Sequence, residues 1–214
     1  MGVGRPGVPE VVGAVGHDGR MSEILLFHSV LGLRPAVTAA AQRLRAAGHR
    51  VHTPDLYGQA AVDTIDEGFA LLARVGQDVV LERARAALRG LTTDPVLAGM
   101  SMGAGIAGAL LADRPGTPAL LLLHGTGGAP EVVRPGLPVR LHIADPDEYD
   151  PPAEVTDWHR SMVTAGADVS VCRYPGVGHL YTDPGTPEYA PASAELTWER
   201  SLAFLAGLPS RVDG

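Results

Sequence analysis

The stretch Val96-Leu-Ala-Gly-Met-Ser-Met-Gly103 carries the clearest structural signal in the chain. It begins as a short apolar run, passes through Gly-x-Ser-x-Gly at residues 99–103, and continues into a glycine- and alanine-rich segment of helical length. A serine flanked by these glycines, where a strand turns sharply into a helix, can project its hydroxyl past crowded backbone. The helix that follows directs the positive end of its dipole at charge developing on a reacting oxygen. The pattern therefore predicts a strand–turn–helix unit with Ser101 as a nucleophile.

The same glycines fit a second motif. Residues 103–108 read Gly-x-Gly-x-x-Gly, the pattern that binds a dinucleotide pyrophosphate. That function requires an acidic residue about 20 positions further on, at the end of the next strand. The next predicted strand ends at His124, and the nearest acid downstream is Glu131. We therefore favour close packing of a helix on a sheet as the reason for these glycines, and we expect no cofactor.

Short apolar runs alternate with helical patterns on both sides of this unit. Strands are predicted at residues 24–28, 50–53, 96–99, 119–124, 139–144 and 169–174. Helices are predicted at residues 35–47, 64–89, 102–113, 152–165 and 191–206. Nearly continuous apolar strands are typical of parallel sheets covered on both faces. The order predicts a compact α/β fold with a doubly wound, mostly parallel sheet, helices on both faces, no large cap domain, and a site beyond the carboxyl ends of the strands.

The composition limits both the architecture and the chemistry. The chain has 214 residues, 45% of them hydrophobic and 19% charged, which suits a globular domain with a sizeable core. We expect one domain over residues 21–214 and a poorly ordered extension over residues 1–20. The formal net charge of −7 disfavours a nucleic-acid partner. All 17 basic residues are arginine, which excludes Schiff-base catalysis by lysine and a P-loop lysine.

Targeting and redox signals are weak. The first twenty residues lack a charged start, an apolar core and a cleavage site, so we expect no signal peptide. Residues 96–112 are uncharged, but their glycines and the preceding Asp94-Pro95 favour a buried strand and helix over a membrane span. Cys172 is the single cysteine, and its alternating apolar surroundings favour a structural role. We expect a cytoplasmic protein, monomeric or homodimeric, with no membrane partner.

Among the eight histidines, His179 is the best placed to act as a general base. It lies in Tyr174-Pro-Gly-Val-Gly-His179, where loop glycines follow the last predicted strand and precede the final helix. A nucleophilic serine needs such a base, and the base needs a carboxylate that orients it. His179 is therefore predicted to accept the proton of Ser101.

The orienting acid is expected between the serine and the histidine, after a strand. The strand predicted at residues 139–144 runs into Asp145-Pro-Asp-Glu-Tyr-Asp150. Asp147 is our first choice and Asp145 the second, since spacing alone does not separate them. Two other roles stay open for these acids: capping the helix that begins near Pro152, or holding a cation.

The remaining histidines carry less information. His49 and His52 have i, i+3 spacing but straddle a loop and a strand, so we expect no metal site there. His28 ends the first predicted strand, beside the loop that would supply an oxyanion donor. It is a candidate for substrate contact, although a buried polar role would suit it equally.

Taken together, these segments resemble the dienelactone hydrolase family of the α/β-hydrolase fold. The resemblance covers about residues 24–205 and rests on four further stretches besides the Gly-x-Ser-x-Gly motif. These are Leu26-Phe-His-Ser-Val-Leu-Gly-Leu-Arg34, Leu44-Arg-Ala-Ala-Gly-His-Arg-Val-His-Thr-Pro-Asp-Leu-Tyr57, the loop ending at His179, and Trp198-Glu-Arg-Ser-Leu-Ala-Phe204.

The resemblance implies a role for each matching position. Ser101 would be the nucleophile, Asp147 the acid and His179 the base of a triad. The backbone N–H groups of Val30 and Met102 would stabilise the oxyanion. The same matching segments make three residues candidates for the substrate pocket: His28, Ser29 and Tyr57.

Three departures from the family pattern bear on the substrate. The family's nucleophile is cysteine, and this chain has Ser101; a glutamate that assists the thiol appears as Ser29. The arginine that helps bind a substrate carboxylate is replaced by Asp183. We therefore expect hydrolysis of a small neutral ester or a different lactone through an acyl-enzyme, without metal or cofactor. A catalytically silent ligand-binding protein, or a thioesterase or acyltransferase with the same triad, are the alternatives.

Overall fold

The computed structural model of the protein describes residues 21–209, and the expectations for residues 1–20 and 210–214 lie outside them. Its strands are β1 (Glu23–Phe27), β2 (Arg50–His52), β3 (Val96–Met100), β4 (Leu120–Leu123), β5 (Leu137–Asp145) and β6 (Ala167–Pro175). Its helices are α1 (Pro35–Ala46), α2 (Ile65–Val75), α3 (Gln77–Arg89), α4 (Met102–Ala109), α5 (Pro152–Thr164) and α6 (Pro191–Ala206). The predicted alternation of strands and helices is confirmed.

All six strands pair in parallel, in the order β2-β1-β3-β4-β5-β6. Near the carboxyl ends, Phe27 of β1 lies opposite Gly99 of β3, and Gly99 lies opposite Leu122 of β4. In a parallel sheet the loops that leave the strands emerge at one edge. The loops after β1, β3, β4, β5 and β6 therefore have their starting points side by side.

Side chains from successive strand residues enter two separate apolar layers. Leu25 and Phe27 of β1 belong to the layer covered by α2, α3, α4 and α5. Ile24 and Leu26 belong to the layer covered by α1 and α6. Because both faces of the central strands are buried, their sequences read as continuous apolar runs. Burial of each such side chain is worth about 1.5–3 kcal/mol, and this holds the strand ends that carry the site.

The prediction of one helix over residues 64–89 was wrong, because Gly76 divides it into α2 and α3. Gly76 has φ of +92°, a conformation that only glycine adopts without strain. The first of the two helices begins with a reciprocal cap: Thr64 Oγ1 accepts from the N–H of Glu67, while Glu67 Oε2 accepts from the N–H of Thr64. The helix after β3 is also shorter than predicted and ends at Ala109 rather than residue 113.

Within residues 21–209, no helix combines the length and the apolar composition that crossing a bilayer requires. The uncharged stretch at residues 96–112 is divided between β3, the turn at Ser101 and α4.

Candidate active site

Ser101 lies on a strained turn between β3 and α4. Its φ is +52°, and its N–H donates to the carbonyl oxygen of Leu123 at 2.8 Å. A Cβ on Gly99 would overlap the backbone of Gly103, and a Cβ on Gly103 would overlap the carbonyl oxygen of Phe27. Glycine is required at both positions because the chain folds back on itself and α4 packs directly against β1. The turn therefore raises the serine hydroxyl above the sheet edge.

The structure brings Ser101, His179 and Asp147 into one chain of hydrogen bonds. The Oγ of Ser101 lies 2.8 Å from Nε2 of His179. Nδ1 of His179 lies 2.9 Å from each of the two carboxylate oxygens of Asp147. Both the histidine and the aspartate are buried, with 4% of each residue exposed. Three side chains from the loops after β3, β5 and β6 thus meet within proton-transfer distance.

Asp147 is held as a carboxylate by its surroundings. Burial raises the pKa of Asp147, but hydrogen bonding and charge from His179 and the N–H groups of Tyr149 and Asp150 together bring that pKa below its usual value. Those two N–H groups donate to Oδ1 at 2.9 and 3.2 Å. The carboxylate of Asp145 instead lies 3.8 Å from Arg173. Of the two acids that spacing left open, only Asp147 contacts the imidazole.

The two N–H groups expected to form an oxyanion hole are both available. Across residues 21–209, no hydrogen bond between backbone groups uses the N–H of Val30 or of Met102. Met102 is the first residue of α4, whose N–H groups have no acceptor within the helix. Tyr57 Oη donates to the carbonyl oxygen of Val30 at 3.0 Å and lies 3.3 Å from Sδ of Met102. Tyr57 therefore links the two segments that would carry the donors.

The cavity beside Ser101 has a volume of about 270 Å³. Its walls are mainly apolar, and the lining residues are Val30, Ile65, Phe69, Leu72, Ser101, Met102, Gly105, Gly125, Thr126, Tyr149, Asp150 and His179. Tyr149 packs against the imidazole of His179 with ring centroids 4.6 Å apart. Helix α2, Thr126, Tyr149 and Asp150 also belong to this site, although none of them was predicted from the sequence to do so. Only Tyr149 and Asp150 left a signal, as neighbours of Asp147 in one acidic loop.

The three residues predicted to line the substrate pocket are buried and do not contribute to the cavity lining. His28 is fully buried, with Nδ1 at 2.7 Å from the carbonyl oxygen of Ser29 and Nε2 accepting from the N–H of Leu56. Ser29 Oγ accepts from the N–H of Leu31. Burial raises the pKa of Tyr57 to about 12. Each of the three side chains forms a hydrogen bond with the backbone of the loop after β1, and none is in the cavity lining.

Asp183, which departs from the family pattern, has a structural partner. Its Oδ2 lies 3.2 Å from Nε of Arg34, and both side chains are about nine-tenths buried. Arg34 also donates to the carbonyl oxygens of Val62 and Gly185. The pair joins the loop after β6 to the start of α1, and Asp183 does not line the cavity.

The described part of the chain contains no group of three His, Cys, Asp or Glu side chains placed to hold a metal ion. In the acidic loop after β5, Asp147 is engaged by His179, Asp150 by Thr126 and Asp145 by Arg173. Each of these three acids therefore contacts a different side chain.

The parallel sheet with helices on both faces, and the sharp turn that exposes Ser101 at its carboxyl edge, define an α/β-hydrolase. Within that class the chain belongs to the dienelactone hydrolase family, whose sequence model matches residues 11–208. Both the fold and the family resemblance predicted from the sequence are confirmed.

Relatives agree with this assignment. A candidate carboxymethylenebutenolidase from Azospirillum brasilense is 24% identical in an alignment 200 residues long, which covers 85% of this chain and 85% of that protein. The crystal structure of a candidate dienelactone hydrolase from Klebsiella pneumoniae is similar with a TM-score of 0.69, at 20% identity over 90% of both chains. A dienelactone hydrolase-like promiscuous phosphotriesterase from metagenomic libraries gives a TM-score of 0.68, at 20% identity over 89% of this chain and 88% of that one.

Proposed function

We propose that the protein hydrolyses small carboxylic esters or lactones through an acyl-enzyme on Ser101, with His179 as base and Asp147 as orienting acid. The observation that carries the proposal is the continuous hydrogen-bond chain from Ser101 Oγ through His179 to Asp147, with every link between 2.8 and 2.9 Å. Membership of a family of hydrolases supports it.

The carboxylate of Asp147 sets the tautomer of His179. An ionised carboxylate can only accept hydrogen bonds, so the Nδ1 that faces it must carry the proton. Nε2 is then left with a lone pair directed at the hydroxyl of Ser101, 2.8 Å away. As Oγ attacks the carbonyl carbon, Nε2 takes the hydroxyl proton, and Asp147 stabilises the imidazolium.

The tetrahedral intermediate places a negative oxygen near the N–H groups of Val30 and Met102. Each donor of this kind contributes about 100–1,000-fold to the rate. The C–O bond to the leaving alcohol then breaks, and the alcohol oxygen takes the proton from Nε2. Water attacks the acyl-enzyme with His179 again acting as base, which releases the acid and regenerates Ser101. A lactone differs only in that the alcohol stays attached to the acyl group.

The size of the cavity bears on the substrate. Its volume of about 270 Å³ lies just below the range of roughly 300–1,000 Å³ that is usual for small-molecule sites. We expect acetate and butyrate esters to react faster than esters of long-chain acids.

The test is hydrolysis of p-nitrophenyl esters from acetate to decanoate, and of a panel of lactones, by the wild type and Ser101→Ala. We expect Ser101→Ala to lower kcat by at least about 1,000-fold, because the covalent route is lost. Ser161→Ala is the matched control, since Ser161 lies exposed on α5 and its hydroxyl contacts only the carbonyl oxygen of Asp157. Its activity should equal that of the wild type.

Active-site labelling separates hydrolysis from the alternatives. A fluorophosphonate should add to the wild type at Ser101, as located by mass spectrometry of peptides. Folded wild-type protein that takes no label and turns over no ester would contradict the proposal and favour a silent binding protein. Ester product formed with added methanol, in preference to free acid, would identify an acyltransferase.

A further inference from the structure

Among residues 21–209, Asp150 supplies the one acidic side chain in the lining of the cavity beside Ser101. The rest of the lining is apolar, aromatic or uncharged, apart from the imidazole of His179, and it contains no arginine. Because the chain has no lysine, arginine is the only side chain that could supply a permanent positive charge. Nothing in the cavity lining therefore offers a fixed cation to a substrate carboxylate.

The carboxylate of Asp150 is fixed in place by Thr126. Both the N–H and the hydroxyl of Thr126 donate to its Oδ1, the N–H at 2.9 Å. Its Oδ2 lies 3.4 Å from the point that a Cβ on Gly125 would occupy, and Cα of Ser101 lies 3.4 Å from the same point. A carboxylate oxygen of Asp150 and the nucleophilic residue therefore both border the space that Gly125 leaves free.

The surroundings of the cavity reinforce the negative charge of Asp150. Burial raises the pKa of Tyr149, and the nearby carboxylates of Glu148, Glu188 and Asp66 raise it further. Arg34, at the start of α1, is committed to Asp183 and to two carbonyl oxygens and does not line the cavity. A substrate carboxylate that enters this cavity would lose its hydrating water and would be repelled by the carboxylate of Asp150. No cationic side chain in the lining would offset either cost.

We propose that Asp150 is a specificity-determining residue that excludes substrates with a negative charge in the cavity and favours those with a hydrogen-bond donor there. This inference rests on the proposed ester hydrolysis at Ser101. A carboxamide or hydroxyl group can donate to Oδ2 of Asp150, whereas a carboxylate of the same shape cannot. The substrate class is therefore small neutral esters or lactones that carry a donor group.

The test uses two pairs of esters in which a carboxamide replaces a carboxylate of nearly equal size. Methyl succinamate and monomethyl succinate place the group on the acyl side. O-acetylglycolamide and O-acetylglycolate place it on the alcohol side. In the wild type, kcat/KM should be at least about 10-fold higher for the amide in at least one pair, given like charges a few ångströms apart at a half-exposed site.

Asp150→Asn should lower that amide-to-carboxylate ratio by about 10-fold, because it removes the charge. The asparagine Oδ1 can still accept both hydrogen bonds from Thr126, so the side chain keeps its position. Asp168→Asn is the matched control: Asp168 is exposed near the start of β6, at the end of the strand away from the site, and is outside the cavity lining. Its ratio should stay within about 2-fold of the wild type, because exposed charges are screened by solvent.

Two results would overturn the proposal: equal rates for both members of both pairs in the wild type, or an unchanged ratio in Asp150→Asn. Binding to Ser101→Ala supplies a readout that needs no turnover. Ligand-observed NMR titration should show the amide of the selected pair binding more tightly than its carboxylate. Suppose that the wild type hydrolyses no ester, that Ser101→Ala still binds the amide more tightly, and that the double variant Ser101→Ala, Asp150→Asn loses this preference. The proposed hydrolysis would then be wrong, while the proposed selection by charge would stand. Absence of any preference overturns the charge selection whatever the activity.

Discussion

Asp145, the last residue of β5, and Asp147, in the loop that follows, lie two residues apart, yet their surroundings differ. Asp147 is buried and receives hydrogen bonds from His179 and from two backbone N–H groups. Asp145 is partly exposed and lies 3.8 Å from Arg173 at the end of β6. Because a triad acid must be desolvated to orient an imidazole strongly, this difference in burial decides their roles at the scale of single residues.

Replacing each acid with asparagine tests this difference. Asp147→Asn can donate to Nδ1 of His179 and so favours the tautomer that cannot accept the proton of Ser101. We expect kcat to fall by about 1,000- to 10,000-fold. Asp145→Asn is the matched control and should keep kcat within about 2-fold. Steady-state kinetics on p-nitrophenyl acetate gives the comparison, and a greater loss in Asp145→Asn than in Asp147→Asn would refute our choice of acid.

At the scale of elements, α2 supports the site through a close contact. Gly68 of α2 packs against Val30, and a Cβ at Gly68 would lie 2.8 Å from the carbonyl oxygen of Val30. The same oxygen accepts the hydroxyl of Tyr57 from the other side. The peptide that follows the expected oxyanion donor, between Val30 and Leu31, is thereby supported by a helix and a loop that are distant in sequence.

Gly68→Ala should therefore displace α2 or the Val30 loop. We expect kcat/KM to fall by about 10-fold or more through the oxyanion site, and the free energy of unfolding to fall by about 1–3 kcal/mol through overpacking. For stability the matched control is Gly105→Ala on α4, where a Cβ meets nothing within 4 Å. That change should stabilise the protein by about 0.5–1 kcal/mol. A Gly68→Ala protein as stable and active as the wild type would show that the contact does not matter.

At the scale of the whole molecule, burial lowers the pKa of two of the buried histidines, His124 and His142, so far that they stay neutral in the folded protein. Burial is the largest factor lowering the pKa of His124 to about 3, and the charge of His179 adds to it. Burial likewise lowers the pKa of His142 to about 3, helped by the charge of Arg140. His124 Nε2 lies 2.6 Å from Oγ1 of Thr182, and His142 lies between Tyr174 and Ser201. Neither can be protonated cheaply while the protein is folded.

Acid should therefore destabilise the protein well above the pH range in which carboxylates titrate. The unfolded chain binds a proton at each histidine near pH 6.5, whereas the folded chain does so only near pH 3, so acidification between these values favours unfolding. The lowered pKa of Asp147 adds a further loss below its ordinary value of 3.8. The free energy of unfolding, measured by urea denaturation, should be smaller at pH 5.0 than at pH 7.5. His124 and His142 should each account for about 2 kcal/mol of this difference.

His142→Gln separates this contribution from other titrations. Its loss of stability between pH 7.5 and 5.0 should be about 2 kcal/mol smaller than that of the wild type. His159→Gln removes a histidine that is only partly buried on α5 and is the matched control. A pH dependence of stability in His142→Gln equal to that of the wild type would contradict the prediction.

Local patterns in the chain were sufficient to predict the order of strands and helices, the turn at Ser101 and the family. Hydrophobic periodicity and the steric needs of glycine act over a few residues, and so they can be read without a structure. The break at Gly76 also has a local cause, but a glycine between two amphipathic segments does not by itself reveal a positive φ.

The tertiary structure alone decided which side chains face the cavity. Asp145 and Asp147 are equivalent in spacing. In the sequence Asp150 is simply the fourth acid of the same short segment, and only the structure shows Thr126 and Gly125 beside it. His28 and Tyr57 looked like substrate contacts but face the interior, where they bond to backbone. The physical reason is that strand and helix formation depend on neighbours in sequence, whereas burial, charge and hydrogen-bond partners depend on segments 20 to 150 residues apart that only folding brings together.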